Sequence, residues 1–506
     1  MAQLPADRAP VIVGVGEVTD RPADPLEGKE PVALMAEALR LAEADAGGTK
    51  LLAALDSLDV INEISWPYRD PAGRLCAALG VGPARAAYGP VGGETPVRFL
   101  HEAALRIARG EGAVAAVCGA EAEHTVQRAR RAGLQLPWEG HDPDHRPVRG
   151  ADFQRPVARR FGAATPATVY PFYENATLAA WEQTPAQARA ESAALWSALS
   201  AVAAAQPNAW LGRFHAPAEI ATPSPRNRPV AWPYPKLMVA NPTVNQGAAV
   251  LLTSLTRARA AGVPDRRLVH VWGGAAAEEP RDYLVRDGYR RSGAMETVLE
   301  AAASLGGPAG FDLVELYSCF PCVPKMARRT LGLGPEAVPS VAGGLTFFGA
   351  PLNNYMGHAA VAMVRRLRDA PGGAGGVGLL YGQGGYVTKH HALVVAGRPR
   401  EDGGGLARHY GVQAAADARR GPVPELVAEA AGRAAVETFT VLFDRDAAPT
   451  HGVVIARAEG GARLMARVPA EDTESLGLLL DEERSPVGAA GTVRAGRDGL
   501  AEWRCA

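Results

Sequence analysis

Hydrophobic and polar positions along the chain follow two rhythms. Residues 10–16 (Pro-Val-Ile-Val-Gly-Val-Gly) are a short apolar run ending in glycine, the pattern of a strand buried on both faces. Val32, Met35, Leu39 and Ala42 then recur at helical spacing within 31–45. The pair repeats as an amphipathic helix at 95–109 and a buried strand at 113–120. From 268 the rhythm starts over, with a strand at 268–274, a helix at 293–305, and strands at 311–317, 376–382 and 391–396. Alternating strands and helices predict a layered α/β architecture. Two halves of like order predict an internal duplication, resting on rhythm alone because no residue-level repeat accompanies it.

Residues 125–235 break the rhythm. They are rich in Arg, Pro and Trp, read as helical near 177–205, and leave through a proline-dense stretch from Pro223 to Pro235. This predicts an insertion folded over the α/β core, which resumes at 247–257. The stretch 397–421 is polar and glycine-rich and reads as a linker. Beyond it, 437–443 alternates, and 452–457 and 462–467 flank Glu459-Gly460-Gly461, the signature of a hairpin. A small β domain is expected over 421–506.

At 506 residues the chain exceeds one ordinary core and predicts two to four domains. Charged residues are 21% and the net charge is −1, with no global bias toward nucleic acid or an anionic membrane. The β domain carries 14 acidic against 9 basic residues, the opposite of what a barrel gripping nucleic acid needs. No apolar run approaches the roughly 20 residues of a membrane span, and the N-terminal MAQLPADRAP lacks a signal-peptide pattern. Five cysteines, an odd and sparse set, argue against a disulfide framework. A cytoplasmic protein with reduced thiols, bound neither to membrane nor to nucleic acid, is expected.

Several motifs, in order, resemble the thiolase superfamily, especially its sterol-carrier-protein-type branch. Residues 106–121 resemble the helix and strand that follow the thiolase nucleophile. Asn241 to Ala249 (Asn-Pro-Thr-Val-Asn-Gln-Gly-Ala-Ala) resembles the Asn-Asp-Gly-Ala-Ala turn beside the coenzyme A site, and Leu313 to Phe320 the Glu-x-His-Asp-Cys-Phe segment. Gly343 to Gly357 and Gly378 to Gly385 resemble the loops that normally hold Gly-His-Pro and the second catalytic cysteine. The resemblance covers about residues 8–397. With the β tail, the chain is similar to the thiolase-like protein type 1 group, often labelled acetyl-CoA acetyltransferase. This implies a duplicated five-layer thiolase fold, an inserted loop domain and an added small β-barrel of OB-like shape. The halves are then 1–124 with 236–265, and 266–400, with the insertion at 125–235 and the added domain at 421–506. A coenzyme A thioester as ligand, no covalently bound cofactor, and a monomer or homodimer are implied as well.

Thiolases use a cysteine thiolate nucleophile, an activating histidine, a second cysteine and oxyanion holes. This sequence departs at each catalytic side chain. The nucleophile position falls on Gly93 or its neighbours, Ala350 stands in place of the histidine, and Gly382 in place of the second cysteine. Classical thiolysis through an acyl-enzyme is therefore not expected. Tyr317 stands where an oxyanion-hole histidine belongs, and its hydroxyl is a candidate acid, with an ordinary pKa of about 10. His358 is a candidate base, and Asn353 and Asn354 are candidates for orienting a carbonyl or a water. For each, the plain alternative is packing or turn formation. Thr243 and the backbone near Gly247 are candidates for the pantetheine, by resemblance, and Arg226 and Arg228 for the nucleotide phosphates. Cys118 reads as core. Cys319-Phe320-Pro321-Cys322 has a C-x-x-C spacing, and His141 to His145 has ligand residue types, but neither has the partners of a metal site, and none is expected. Lys389-His390-His391 reads as the polar end of a strand. Three functions stay open: acyl or carbon–carbon chemistry on a coenzyme A thioester without a cysteine acyl-enzyme, tyrosine-dependent retro-aldol cleavage, and a catalytically degenerate scaffold.

Overall fold

A computed structural model describes residues 4–307, 310–369, 375–400, 406, 409–428 and 431–506. The first half supplies strands β1 (Pro10–Thr19), β2 (Ser57–Val60), β3 (Arg85–Tyr88) and β4 (Val114–Ala122). The insertion holds a short hairpin, β5 (Pro229–Ala231) and β6 (Tyr234–Pro235), and β7 (Asn245–Ser254) completes the half. The second half supplies β8 (Val269–Glu278), β9 (Leu313–Leu316), β10 (Val377–Gly384) and β11 (Lys389–Ala396). These nine core strands run in the order β3-β2-β4-β7-β1-β8-β11-β10-β9.

That order carries the duplication. In the first half β4 pairs parallel with β2 and antiparallel with β7, which pairs antiparallel with β1. In the second, β10 pairs parallel with β9 and antiparallel with β11, which pairs antiparallel with β8. The halves meet where β1 and β8 pair antiparallel, at Val11↔His270 and Ile12↔Val269. Helices Thr95–Arg109 and Tyr355–Arg368 each touch strands of both halves and form the middle layer. Helix Pro31–Asp45 covers the outer side of the first half, and helix Gly293–Gly306 that of the second. The result is five layers, helix, sheet, helix, sheet, helix.

The sequence explains the layering. Successive residues of a strand point to opposite faces. Val11 and Val13 accordingly enter the outer core and Ile12 the central one, and a bulge between Ile12 and Gly14 shifts the alternation so that Val15 also faces the centre, while Val114, Ala116 and Cys118 face out where Ala115 and Val117 face in. The outer helix lies so close to β1 that a Cβ at Gly14 or Gly16 would stand 2.0 or 2.1 Å from the carbonyls of Ala42 and Ala38. Glycine is required there for contact, not for turning.

The C-terminal strands β12 (Gly432–Phe443), β13 (Pro449–Ala458), β14 (Arg463–Pro469), β15 (Ala490–Ala495) and β16 (Ala501–Cys505) close into a five-stranded barrel. β14 and β16 pair parallel, and helix Thr473–Leu479 lies between β14 and β15 in sequence. This is the OB-like arrangement. The β13–β14 turn falls at the expected Glu-Gly-Gly. The barrel is fastened to the rest of the chain. Val453, Ile455 and Met465 are buried in the central core, β5 pairs with β12, and Thr438 Oγ1 donates to Phe172 O at 2.6 Å.

The linker reading of 397–421 is corrected in part. Helix Gln413–Ala418 forms there, and the backbone of Tyr410 and Val412 bonds Ala276 at 2.9 Å, adding a bridge to β8. Tyr410 packs against His101 and His391, so one aromatic residue anchors a segment whose average composition reads as polar. Residues 401–405, 407 and 408 lie outside the described residues.

Candidate functional site

The site forms where three ends meet: the start of helix Thr95–Arg109, the chain just after β9, and the β10–β11 hairpin. Gly92, Gly93 and Glu94 lead into the helix, and Glu94 is its N-cap. A carboxylate at that position suits the partial positive charge of a helix N-terminus. Tyr317 follows β9, Gly382 and Gln383 lie in β10, and Lys389 opens β11 opposite Gly384.

Tyr317 occupies the space of the missing nucleophile. A Cβ at Gly93 would stand 2.3 Å from the Tyr317 hydroxyl and 2.5 Å from its ring, with Gln383 O at 2.6 Å. No side chain fits at residue 93 while that ring is in place. Burial raises the Tyr317 pKa well above its usual 10, and the nearby Cys319 and Glu94 push it the same way. The phenol therefore keeps its proton at neutral pH and can donate it in a hydrogen bond. Cys319 is no substitute for the lost thiol. Burial, only partly offset by bonds from Tyr170 and Gln383, pushes it up to about 12, so thiolate is scarce at neutral pH.

Asn353 belongs to the same cluster. Its Oδ1 accepts from Gly92 N at 2.9 Å, and its Nδ2 donates to Asn62 O at 2.9 Å. It thus fixes the loop that carries Gly93. Gly382 lies alongside, and a Cβ there would meet Glu94 Cα at 2.9 Å. Ala350 and Thr243 are linked through Asn241, whose carbonyl takes Ala350 N at 2.9 Å and whose Oδ1 takes Thr243 N at 3.3 Å.

Other candidates lie elsewhere. Asn354 Nδ2 donates to Gly119 O at 2.6 Å, turning inward to β4. His358 is fully buried and pairs through Nδ1 with Glu17 Oε2 on β1 at 3.0 Å, and Arg365 also binds Glu17. Burial pushes Glu17 up, but the hydrogen bonds and charges of His358 and Arg365 outweigh it and hold the carboxyl low. No hydrogen bond or ring contact joins His358 to Tyr317 among the described residues; its ring packs on Phe348, and its buried Nε2 has no hydrogen-bond partner among them. Gly247 sits in mid-strand, where a Cβ would press on Leu34 at 3.1 Å. Arg228 Nη1 donates to Pro229 O at 3.0 Å and reaches Asp444 O of the barrel at 3.5 Å, and Arg226 lies in the exposed turn at 224–227. No hydrogen bond joins either arginine to Thr243 or Gly247 among the described residues.

Three residues of the cluster carried no functional reading in the sequence. Lys389, read as the polar end of a strand together with His390 and His391, is buried like both histidines. Each has a specific partner: Lys389 Nζ meets Glu94 Oε1 at 2.5 Å, His390 Nδ1 meets the Tyr381 hydroxyl at 2.7 Å, and His391 Nε2 meets His101 Nδ1 at 3.0 Å. Gln383 bonds the Tyr170 hydroxyl and approaches Cys319 Sγ at 3.5 Å. Tyr170 belongs to helix Pro166–Ala180 of the insertion, donates to Gly385 O at 2.8 Å and stacks on Phe320 at 4.5 Å. One helix of the insertion thus closes over the cluster. Only the departure from the motif at 382–384 pointed to Gln383.

Residues 412–498 match the model of the thiolase-like protein type 1 additional C-terminal domain. Over its whole length the chain is similar to a monomeric SCP2-thiolase-like protein type 1 from Mycobacterium smegmatis, at 28% identity over 99% of each chain and a TM-score of 0.81. The fold is shared with an Ltp2–ChsH2(DUF35) aldolase, at 19% identity, 78% of this chain, 99% of the other and a TM-score of 0.58. It is shared too with human mitochondrial 3-ketoacyl-CoA thiolase in complex with CoA, at 16% identity, 79% and 100% coverage and a TM-score of 0.53. A comparison with curated protein sequences gives no match. From end to end the chain has the fold of the type 1 thiolase-like proteins, and it closes in the additional domain that marks them.

Proposed function

We propose that the protein binds a coenzyme A thioester in the cleft between its halves and acts on an acyl or carbon–carbon bond without a cysteine acyl-enzyme. The observation that carries this reading is the Tyr317 ring standing where a side chain at residue 93 would project. A thiol attached there has no room, and the sulfur of the neighbouring Cys319 is held protonated by burial. Support for the ligand comes from the shared fold of a thiolase solved with CoA. The buried hydroxyl of Tyr317 also favours a second reading, aldol cleavage of an acyl-CoA, and an aldolase shares the fold. A partner-capturing scaffold built on the barrel fits less well, because Val453, Ile455 and Met465 on β13 and β14 are already covered by the chain itself. A monomer is the proposed state, in keeping with the relative from Mycobacterium smegmatis. Among the described residues no helix is long and apolar enough to cross a membrane, and a cytoplasmic location is proposed.

Calorimetry with coenzyme A and a set of acyl-CoAs tests the binding. Saturable heat with at least one thioester is expected. A folded sample that shows none at millimolar ligand removes the reading.

A further inference from the structure

The Glu94–Lys389 pair has no counterpart in the motif comparison and no evident packing purpose. Both side chains are more than nine-tenths buried, and the nitrogen–oxygen distance is 2.5 Å. Taking two charges out of water costs several kcal/mol per ion, and apolar residues of similar volume serve packing as well or better. The pair is also incompletely satisfied. Lys389 Nζ is engaged by Glu94 Oε1 and by Val91 O at 2.5 Å, while Glu94 Oε2 has no hydrogen-bond partner among the described residues. Two glycines let the carboxylate pack directly on their backbone. A Cβ at Gly384 would stand 1.9 Å from Oε2, and one at Gly92 would stand 2.2 Å from it. Beside it, at Gly93, is the Tyr317 hydroxyl, which keeps its proton. A carboxylate oxygen free to accept, an ammonium that fixes its other oxygen and a phenol that donates form a complete proton-transfer set.

Resting on the reading of the cleft as a thioester site, we infer that Glu94 is the base of that site. Its Oε2 takes a proton from the carbon next to the thioester carbonyl. The C–H bond breaks, an O–H bond forms on Glu94, and the electron pair moves to the carbonyl oxygen as an enolate. Tyr317 is the donor that holds that oxygen. Reversal returns the proton, so in heavy water the net result is exchange of hydrogen for deuterium with no other reactant. Lys389 is a positioning residue that orients the carboxylate.

The test uses the full chain with acetyl-CoA in heavy water, following loss of the thioester methyl signal by proton NMR, with calorimetry on the same samples. The intact protein is expected to exchange the methyl hydrogens faster than buffer, and Glu94→Gln to slow this by about 100-fold with affinity unchanged. Because Glu94→Gln leaves Lys389 buried and unpaired, the double variant Glu94→Gln/Lys389→Met, neutral on both sides, is measured beside it with circular dichroism. It should fold and stay inactive. Binding without exchange by the intact protein overturns the inference and leaves the thioester reading standing. Exchange at the original rate in either variant also overturns it. Absence of binding removes both readings.

Discussion

At the scale of single residues, the site is defined by what small side chains permit. Gly93 has room for a hydrogen and nothing more, because the Tyr317 hydroxyl would stand 2.3 Å from a Cβ. Gly93→Ala should therefore destabilise the fold by about 1–3 kcal/mol, the usual cost of overpacking a filled core. Urea denaturation measures this, and an unchanged midpoint would show that the ring has freedom to move away. A second residue-scale expectation concerns the buried carboxyls Glu63 and Glu121. Glu121 accepts from Ile64 N and Ser65 N at 2.9 and 2.8 Å, and Glu63 from Trp66 N at 3.0 Å, in the loop next to Asn62. Burial raises Glu63 from 4.5 to about 8, and burial with the charge of Glu63 raises Glu121. A raised carboxyl stabilises the fold in its protonated form. That stability is complete below about 4.5 and is lost as pH rises through about 8. Thermal midpoints should fall between pH 5 and 9 in the intact protein, and Glu63→Gln should flatten the fall. An equally steep fall in the variant would assign it to other groups. The motif departures at Gly93, Ala350 and Gly382 were legible in the sequence, as was Tyr317. The ring's place at Gly93 was not, since 224 positions of chain separate the two and no local pattern encodes the approach.

At the scale of elements, apolar rhythm reveals strands and helices well when both faces are buried, as in β1, β4 and β7. It fails where polar residues are buried with partners. The start of β11 reads as the polar end of a strand because Lys389, His390 and His391 are polar, but all three are buried, and Glu94, Tyr381 and His101 receive them. The barrel is bound to the main body by the same device. Arg463, fully buried, donates to Leu284 O at 2.8 Å and Arg286 O at 2.6 Å and shares Glu437 with Arg457. Burial pushes Glu437 up, and the two arginines more than reverse this, holding its pKa low. Arg463→Ala leaves that carboxylate and two carbonyls short of a donor, and about 3–5 kcal/mol should be lost. Limited proteolysis should then cut between helix Gln413–Ala418 and β12 first. A variant as resistant as the intact protein would mean that the apolar contacts alone seat the barrel.

At the scale of the whole molecule, the mirrored strand order brings one buried cluster together from two related halves. The insertion lays helix Pro166–Ala180 over it, and the barrel in turn packs on that helix. The duplication is legible in the order of elements along the chain, whereas the way barrel and insertion share a core depends on contacts such as Thr438 with Phe172, 266 residues apart. The additional domain therefore packs on the helix that covers the cluster.

The most direct measurement of the central claim is intact-protein mass spectrometry after incubation with acetyl-CoA and rapid acid quench. The protein should emerge at its unmodified mass with all five cysteines free, although native spectra of the same mixture should show the thioester bound without a covalent link. An acetyl increment on a cysteine, mapped by digestion and formed in step with turnover, would contradict the account.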